Sequence, residues 1–449
     1  MFKLSSHYNP NYLAKIVQLK NPIKHPNADR LLGWDIDGNR VWTTTDYQER
    51  EICIFFPLEC VINKDILSRL NLFEDKTLNS DQTKAGFFST KGRVKAVKLR
   101  GQPSEGFLLR VHDFVLSLPE INFESQHNFV FGQNIGFQFD NWDDIWICRK
   151  YVSETRTEHI HKIHGGQNKN KTNIVDGQFK FHYSTDNLKN NLNVLSNPET
   201  KLTISYKYHG TSGITANLLT YKKRNWFQKA YDWFTKQKPT EYSVISASRS
   251  VIKTDHSMDS GYYKFDIWQH VSNIIKDIID TGETWYYEIV GYLPNGSMIQ
   301  KDYDYGCTKP IDDDYQLGVH FDIYVYRITK TYSAGQITEY PMNTVKTICE
   351  IHGFKHVEIL DEITVGQLTD NLSIVEDKEK AILEYLKTKY LETDCHVCTN
   401  KVPAEGICIR VEDGITDKAY KLKSFRFLQK ESKQLDEEVV DIETSQTEI

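Results

Sequence analysis

Lys207 stands in the run Ser205-Tyr-Lys-Tyr-His-Gly-Thr-Ser212 and is followed along the chain by Glu288, by Glu405-Gly-Ile-Cys-Ile-Arg410 and by Lys421-Leu-Lys423. These residue types suit attack by a lysine amine on phosphorus. Only the free amine attacks, and an ordinary ε-ammonium, with a pKa of about 10.4, is neutral in roughly one molecule in a thousand near pH 7. A site for this chemistry must therefore lower that pKa, and partial burial beside the cations Lys421 and Lys423 would do so. The same two lysines could hold a triphosphate and the charge that develops on the transferred phosphorus. Glu288 and Glu405 meet the opposite need, because carboxylate oxygens hold Mg2+ directly or through its waters and accept from ribose hydroxyls. Gly210 lets the backbone approach a phosphate or sugar with no side chain in between.

Secondary structure must position these groups. Leu202-Thr-Ile-Ser-Tyr206 alternates in the manner of a strand and leads into Lys207, and Ile214-Thr-Ala-Asn-Leu-Leu219 predicts its hairpin partner. Context also separates the pattern from decoys. Lys162-Ile-His-Gly165 repeats the lysine spacing but lies among His159, His161, His164 and an Asn/Lys/Gly tract, which is loop chemistry. Glu105-Gly-Phe-Leu-Leu-Arg110 repeats the Glu-Gly spacing but precedes Lys207 and has no Lys-x-Lys pair behind it.

With these elements in order, the chain resembles the covalent nucleotidyltransferase superfamily of ATP-dependent RNA and DNA ligases and mRNA capping enzymes, and is most similar to the RNA ligases. The resemblance implies that Lys207, in Lys207-Tyr-His-Gly210, carries AMP, with His209 at a position where aspartate is commoner. It implies that Glu288, in Tyr286-Tyr-Glu-Ile-Val-Gly291, contacts the ribose and that Phe321, in Val319-His-Phe-Asp-Ile-Tyr324, stacks on adenine. Glu405 then serves metal and ribose, and Lys421 and Lys423 serve phosphate. Arg249, in Ser248-Arg-Ser250, matches a short arginine element between the lysine and Glu288. The implied nucleotide site thus comprises Lys207, His209, Gly210, Arg249, Glu288, Phe321, Glu405, Lys421 and Lys423, with Lys207, Lys421 and Lys423 catalytic and Glu288 and Glu405 holding metal. ATP and Mg2+ (or Mn2+) are the implied cofactors, and the implied partner is RNA, or an RNA-containing duplex, with 5′-phosphate and 3′-OH ends.

The layout narrows the resemblance. After the Lys421-Leu-Lys423 element only a short tail, Ser432 to Ile449, is expected to remain, too little for the barrel that DNA ligases and capping enzymes carry there, whereas Ala14–Leu19, Arg40–Thr45 and Ile52–Phe56 read as short N-terminal strands punctuated by turns. Lys24-His-Pro-Asn-Ala-Asp-Arg-Leu31 resembles a segment of tRNA-binding OB modules, and Arg93-Val-Lys-Ala-Val-Lys-Leu-Arg-Gly101 with Ser104-Glu-Gly106 resembles the N-terminal domain of Deinococcus-type RNA ligases, which seal nicks with a ribonucleotide 3′-OH strand. The expected fold class is α+β: an OB-like β-barrel over 1–140, a linker over 141–180, a nucleotidyltransferase domain of antiparallel sheets flanked by helices over 181–431, and an acidic, disordered tail over 432–449.

Composition agrees. A chain of 449 residues with 39% apolar residues can build two or three cores. The longest apolar run, Ile52 to Ile62, contains Pro57 and Glu59, and the first residues carry no signal peptide, so a soluble, cytoplasmic, monomeric protein with reduced cysteines and no membrane partner is expected. The net charge of −6 is an average. Lys91–Arg100 alternates cations at strand spacing, either to line a sheet for phosphates or to guard a solvated edge, and the acidic excess collects in Asp436–Glu443. Arg224-Asn-Trp-Phe-Gln-Lys-Ala-Tyr-Asp-Trp-Phe234 places aromatics at helix spacing, and a packed helix is favoured over an RNA-stacking arm. Lys378–Leu391 predicts a surface helix. Cys395-His-Val-Cys398 is half of a zinc pattern without a second pair, so ordinary packed thiols are favoured, and His159, His161 and His164 likewise lack a completing ligand. A DNA ligase, a capping guanylyltransferase that takes GTP, and a non-enzymatic OB-type RNA-binding protein stay open as other readings.

Overall fold

The computed structural model describes residues 2–6, 8–118, 131–152, 173–181, 185–224, 226–235, 238–249, 251–253, 265–311, 314–370, 372, 377–413 and 418–437. The chain divides into two compact units, Met1–Thr157 with Leu428–Glu438, and Glu158–Phe427 with Val439–Ile449. His159, His161, Lys162 and His164 lie outside the described residues.

In the first unit β1 (Ala14–Gln18), β2 (Leu31–Ile36), β3 (Asn39–Thr44), β4 (Ile52–Phe56), β5 (Phe107–Arg110) and β6 (Gln138–Phe139) supply the main ladders. The order β5-β4-β1-β6 makes one antiparallel sheet, and β2 and β3 pair in a second with Ile23–Lys24. Among the described residues these ladders stay open and close no barrel. The β1–β4 layer is buried on both faces: Ile16, Ile54 and Phe56 join Phe114, Phe139 and Trp142 on one side, while Val17, Cys53 and Phe55 join Trp34 and Val41 on the other. That double burial explains why Ile52–Phe56 is apolar without alternation.

The cation run divides: Lys98 and Arg100 are exposed, whereas Arg93 is turned inward. Only Val97–Leu99 is a strand, and the Arg93 side chain is fully buried, donating to Glu59 Oε2 (2.6 Å), to Asp436 Oδ1 (2.6 Å) and to the Ser432 carbonyl (2.7 Å). Lys95 pairs with Asp436 at 2.8 Å. These bonds correct only the first residues of the expected tail: helix α4 runs Phe425–Asp436, because Ser432 and Asp436 have buried partners that offset the entropy of ordering them, while 438–449 lie outside the described residues.

In the second unit β7 (Lys201–Lys207) belongs to a five-stranded sheet ordered Asp186–Asn187, β14 (Ala419–Lys423), β13 (Gly406–Val411), β7, β12 (Ile359–Thr364). A larger sheet is ordered Ile252–Lys253, β9 (Thr240–Ser248), β8 (Thr211–Tyr221), β10 (Glu283–Gly291), β11 (Phe321–Thr331), Ile337–Glu339. The predicted hairpin of β7 with β8 is therefore not formed: β7 pairs with β12 and β13, and β8 pairs with β9 and β10. Tyr208-His-Gly210 carries the chain from one sheet to the other.

Helix α2 (Ile267–Ile275) packs Ile267, Trp268, Val271 and Ile275 into the larger sheet's core. Helix α3 (Lys378–Tyr390) is the predicted surface helix, and its Ile382, Leu383 and Leu386 are fully buried in the smaller sheet's core, each contributing about 1.5–3 kcal/mol of apolar burial. Helix α1 (Trp226–Thr235), between β8 and β9, departs from the packed-helix expectation, for Trp226, Phe227, Trp233 and Phe234 are all exposed. No helix among the described residues is long and apolar enough to cross a membrane.

Candidate active site

Three strands of the smaller sheet bring the charged groups together. Gly406 at the start of β13 is in register with Lys207 on one side and Lys423 on the other, so Lys207, Glu405 and Lys423 reach the same end of the sheet. The strands can approach this closely only because residue 406 has no side chain: its φ is +146°, and a Cβ there would lie 2.0 Å from the Leu422 carbonyl oxygen. Two residues along, Ser205, Cys408 and Lys421 form the next row, and Thr203, Arg410 and Ala419 the one after. One face of this sheet thus presents Thr203, Ser205, Lys207, Cys408 and Arg410 to a cavity whose other wall carries Glu288, Tyr326 and Arg327 from the larger sheet.

The corner that joins the sheets is held from below. The His209 N–H donates to the Tyr305 hydroxyl (3.0 Å), that hydroxyl donates back to the His209 carbonyl (2.8 Å), and Gln300 Nε2 donates to the Gly210 carbonyl (2.6 Å). Buried side chains therefore satisfy a backbone that has left its sheet. Gly210 is required by packing, since a Cβ would sit 2.6 Å from the Ile289 carbonyl oxygen and 3.2 Å from Glu288 Oε2. Glu288 itself, on β10 between Ser212 and Tyr324, is 6% exposed.

Electrostatics follow from this packing. Lys207 Nζ lies 3.0 Å from Glu405 Oε1, Lys423 Nζ 3.5 Å from the same oxygen, and His209 Nδ1 3.7 Å from Oε2. Burial alone would raise the Glu405 carboxyl, but the Lys207 and Lys423 ammoniums, with His209, outweigh it and hold the group well below the usual carboxylate range. Lys421 behaves in the opposite way. Burial pushes its amine down to about 8, and the neighbouring cations Lys423, Arg249 and Lys207 push in the same direction. Burial raises the Cys408 thiol to about 11, so it is an inert thiol beneath the cavity.

Lys207, His209, Gly210, Glu288, Glu405, Lys421 and Lys423 are thus assembled in one place, and Arg249 is close enough to act on Lys421. Phe321 is not with them. It is fully buried, stacked on Tyr315 at 4.7 Å and edge-on to His270 at 5.5 Å, and its place three residues before Tyr324, the residue opposite Glu288, puts it on the other face of β11. Tyr206, Tyr208 and Tyr326 are the aromatics that line the cavity, and the Tyr326 hydroxyl lies 3.1 Å from Ser212 Oγ. A register shift between Tyr286 and Tyr287 leaves Tyr326 as the extra residue on β11, which is how adjacent Tyr326 and Arg327 both line the cavity. The two-residue alternation Phe321, Ile323, Val325 against Asp322, Tyr324 was legible in the sequence, but the bulge that re-aims Tyr326 was not.

The sequence also left unread an ion cluster in the cavity floor. Arg327 pairs with Glu339 at 2.8 Å, and Arg410 Nε lies 3.3 Å from Glu339 and 3.4 Å from Glu412. Hydrogen bonding from Cys398 is the main influence lowering the Cys395 thiol, to about 7, against burial. No group of three or more His, Cys, Asp or Glu side chains among the described residues is placed to hold a metal, so Cys395 and Cys398 have no zinc set there.

Lys207 thus stands at a corner between two sheets, with a carboxylate from each and two further lysines on β14, one strand removed from β7. Solved structures share that fold. The chain is similar to RNA ligase of Naegleria gruberi in a variant with ATP and Mn (15% identity, TM-score 0.54, covering 94% of this chain and 98% of that one). It is similar to another variant of that ligase with AMP and Mn (15%, 0.55, 93% and 98%) and to the ligase with PPi (15%, 0.54, 94% and 99%). No family model and no curated protein sequence matches the chain.

Proposed function

We propose that the protein is an ATP-dependent RNA ligase that seals 3′-OH and 5′-phosphate ends through a lysyl-AMP intermediate. The observation that carries the reading is the charge count at the corner: Lys207, Lys421, Lys423 and Arg249 against Glu288 and Glu405. That surplus of positive charge in a buried setting suits a polyanionic nucleotide. Naegleria RNA ligase structures of the same fold are described with ATP and Mn, with AMP and Mn, and with PPi, which supports the choice of nucleotide.

In this reading the triphosphate draws Lys421 and Lys423 to its oxygens, and Glu405 is the group from which Lys207 must separate before its amine attacks the α-phosphorus. The new bond is N–P, and pyrophosphate leaves with the electrons of the broken P–O bond. Tyr326 lies where a ring can stack on the base, and Glu288 accepts from the ribose. A divalent cation fits this donor set although no three-ligand protein cluster exists among the described residues, because Mg2+ or Mn2+ in phosphoryl-transfer sites keeps waters and takes one or two carboxylates plus substrate phosphates. Glu288 and Glu405 are the residues to hold it, and it supplies charge neutralisation at the phosphates. AMP then passes to a 5′-phosphate, and a 3′-hydroxyl displaces it to close the phosphodiester. The N-terminal unit serves as an OB-like holder of the nucleic acid, of the kind seen in Deinococcus-type nick sealers.

The test is incubation with α-labelled ATP followed by transfer to 5′-phosphate nicks with ribose or deoxyribose at the 3′-OH side. Sealing only of the ribose nick is expected. Equal sealing of both would move the reading to a DNA ligase, and labelling by α-labelled GTP in place of ATP would move it to a capping enzyme.

A further inference from the structure

Strands β8 and β9 run as a long antiparallel arm from Gly213, paired with Ser248, out to Tyr221, paired with Thr240. Helix α1 follows Tyr221, and four of its aromatic rings are displayed to solvent. Trp226 is 68% exposed, Phe227 65%, Trp233 83% and Phe234 81%. A helix that hides none of these rings gains nothing from folding them against its own unit, so their use lies in contact with something else. Trp226 and Phe227 stack on each other with centroids 3.4 Å apart, and Trp233 and Phe234 repeat the pair seven residues on. Two turns of helix return to the same face, so the two ring pairs stand in line about 10 Å apart.

The charge around the rings selects the occupant. Lys222, Lys223 and Arg224 precede the helix and Lys238 follows it, the Lys238 ammonium lying over the Tyr221 ring at 5.5 Å, whereas Asp232 is the single acid between Tyr221 and Pro239. The segment is strongly cationic in a chain whose net charge is −6. Aromatic faces flanked by cations are the elements of sequence-tolerant single-strand binding, in which bases stack and phosphates pair with lysine and arginine. An interfacial lipid helix would share the basic flanks, but here the helix sits at the tip of an arm whose other end, Ser212, is in register with Glu288 of the candidate site. A polynucleotide lying along that arm has a reason to be there.

We propose that α1 with its flanking cations is a docking site for single-stranded nucleic acid, its bases stacking on the Trp226–Phe227 and Trp233–Phe234 pairs. The stacking contact does not depend on the ligase reading. The spacing deepens that reading: nine residue steps carry the strand from Ser212 to Tyr221, about 30 Å, so only a substrate with an unpaired segment long enough to span that distance reaches both the reacting end and the rings.

The experiment is fluorescence anisotropy with a labelled 20-nucleotide single-stranded RNA at fixed salt. It compares the full chain with Trp226→Ala/Trp233→Ala and with the fourfold variant that adds Phe227→Ala and Phe234→Ala. The expected result is weakening of at least about tenfold in the double variant and more in the fourfold one, quenching of tryptophan emission by RNA in the parent, and unchanged self-labelling by α-labelled ATP in both variants. Equal RNA affinity in all three proteins overturns the proposal. So does a parent that binds phosphatidylserine/phosphatidylcholine vesicles through these rings but shows no ring-dependent RNA binding. Absence of self-labelling in the parent, with ring-dependent RNA binding intact, would instead refute the ligase reading and leave this one standing.

Discussion

Two charged clusters in this protein use the same residue types to opposite ends. In the first unit, Arg93 and Lys95 face Glu59 and Asp436, cations and carboxylates in equal number, with Arg93 fully buried. In the second, Lys207, Lys421, Lys423 and Arg249 gather around Glu288 and Glu405, and the Lys421 amine is pushed down to about 8 first by burial and then by the neighbouring cations Lys423, Arg249 and Lys207. A balanced cluster is finished when the chain folds. An unbalanced one holds repulsion that only an anion relieves, and that difference, more than any spacing, separates a structural ion pair from a site.

Substitutions can break the contrast from either side. The largest expected effect is on stability: Arg93→Met leaves Glu59 buried without its counter-ion and should cost about 3–5 kcal/mol, seen as a fall of roughly 10 °C in the unfolding midpoint, while adenylylation below that temperature persists. Phe321→Ala should act likewise, costing about 3–5 kcal/mol as a core cavity without a selective rise in the KM for ATP. Glu405→Gln should do the reverse, keeping the fold but lowering the rate of self-labelling about a hundredfold, measured by single-turnover incorporation. Tyr326→Ala should raise the KM for ATP by about three- to tenfold, the size of one stacking contact.

The smallest effect is a proton. Because the free protein depresses the Lys421 amine to about 8, phosphates that favour its charged form must raise it again, so ATP binding should take up a proton at pH 8–9 and none near pH 6. Calorimetry in two buffers of different ionisation enthalpy measures this, and Lys421→Met should abolish it.

Much of this was legible in the chain. The order of Lys207, Glu288, Glu405, Lys421 and Lys423 picked out residues that β7, β13 and β14 of one sheet and β10 of the other bring together, because register, once set by buried alternation, leaves little freedom. What could not be read were facts of pairing between distant segments. Nothing in Ile214–Leu219 says that it pairs with Glu283–Gly291 and not with β7, nothing in β11 announces the bulge that turns Tyr326 inward, and nothing in Lys91–Arg100 shows that Asp436 would come to meet it. The exposed rings of α1 failed expectation for a related reason: helix periodicity reports that residues share a face, not what covers it.

The central claim is that Lys207 is the amine that takes the nucleotide. Incubation of the full chain with α-labelled ATP and Mg2+, followed by denaturing gel separation and peptide mapping at alkaline pH, should place one acid-labile label on Lys207 and none on Lys207→Ala. Label retained by Lys207→Ala, or mapped to another residue of the wild-type chain, would contradict it.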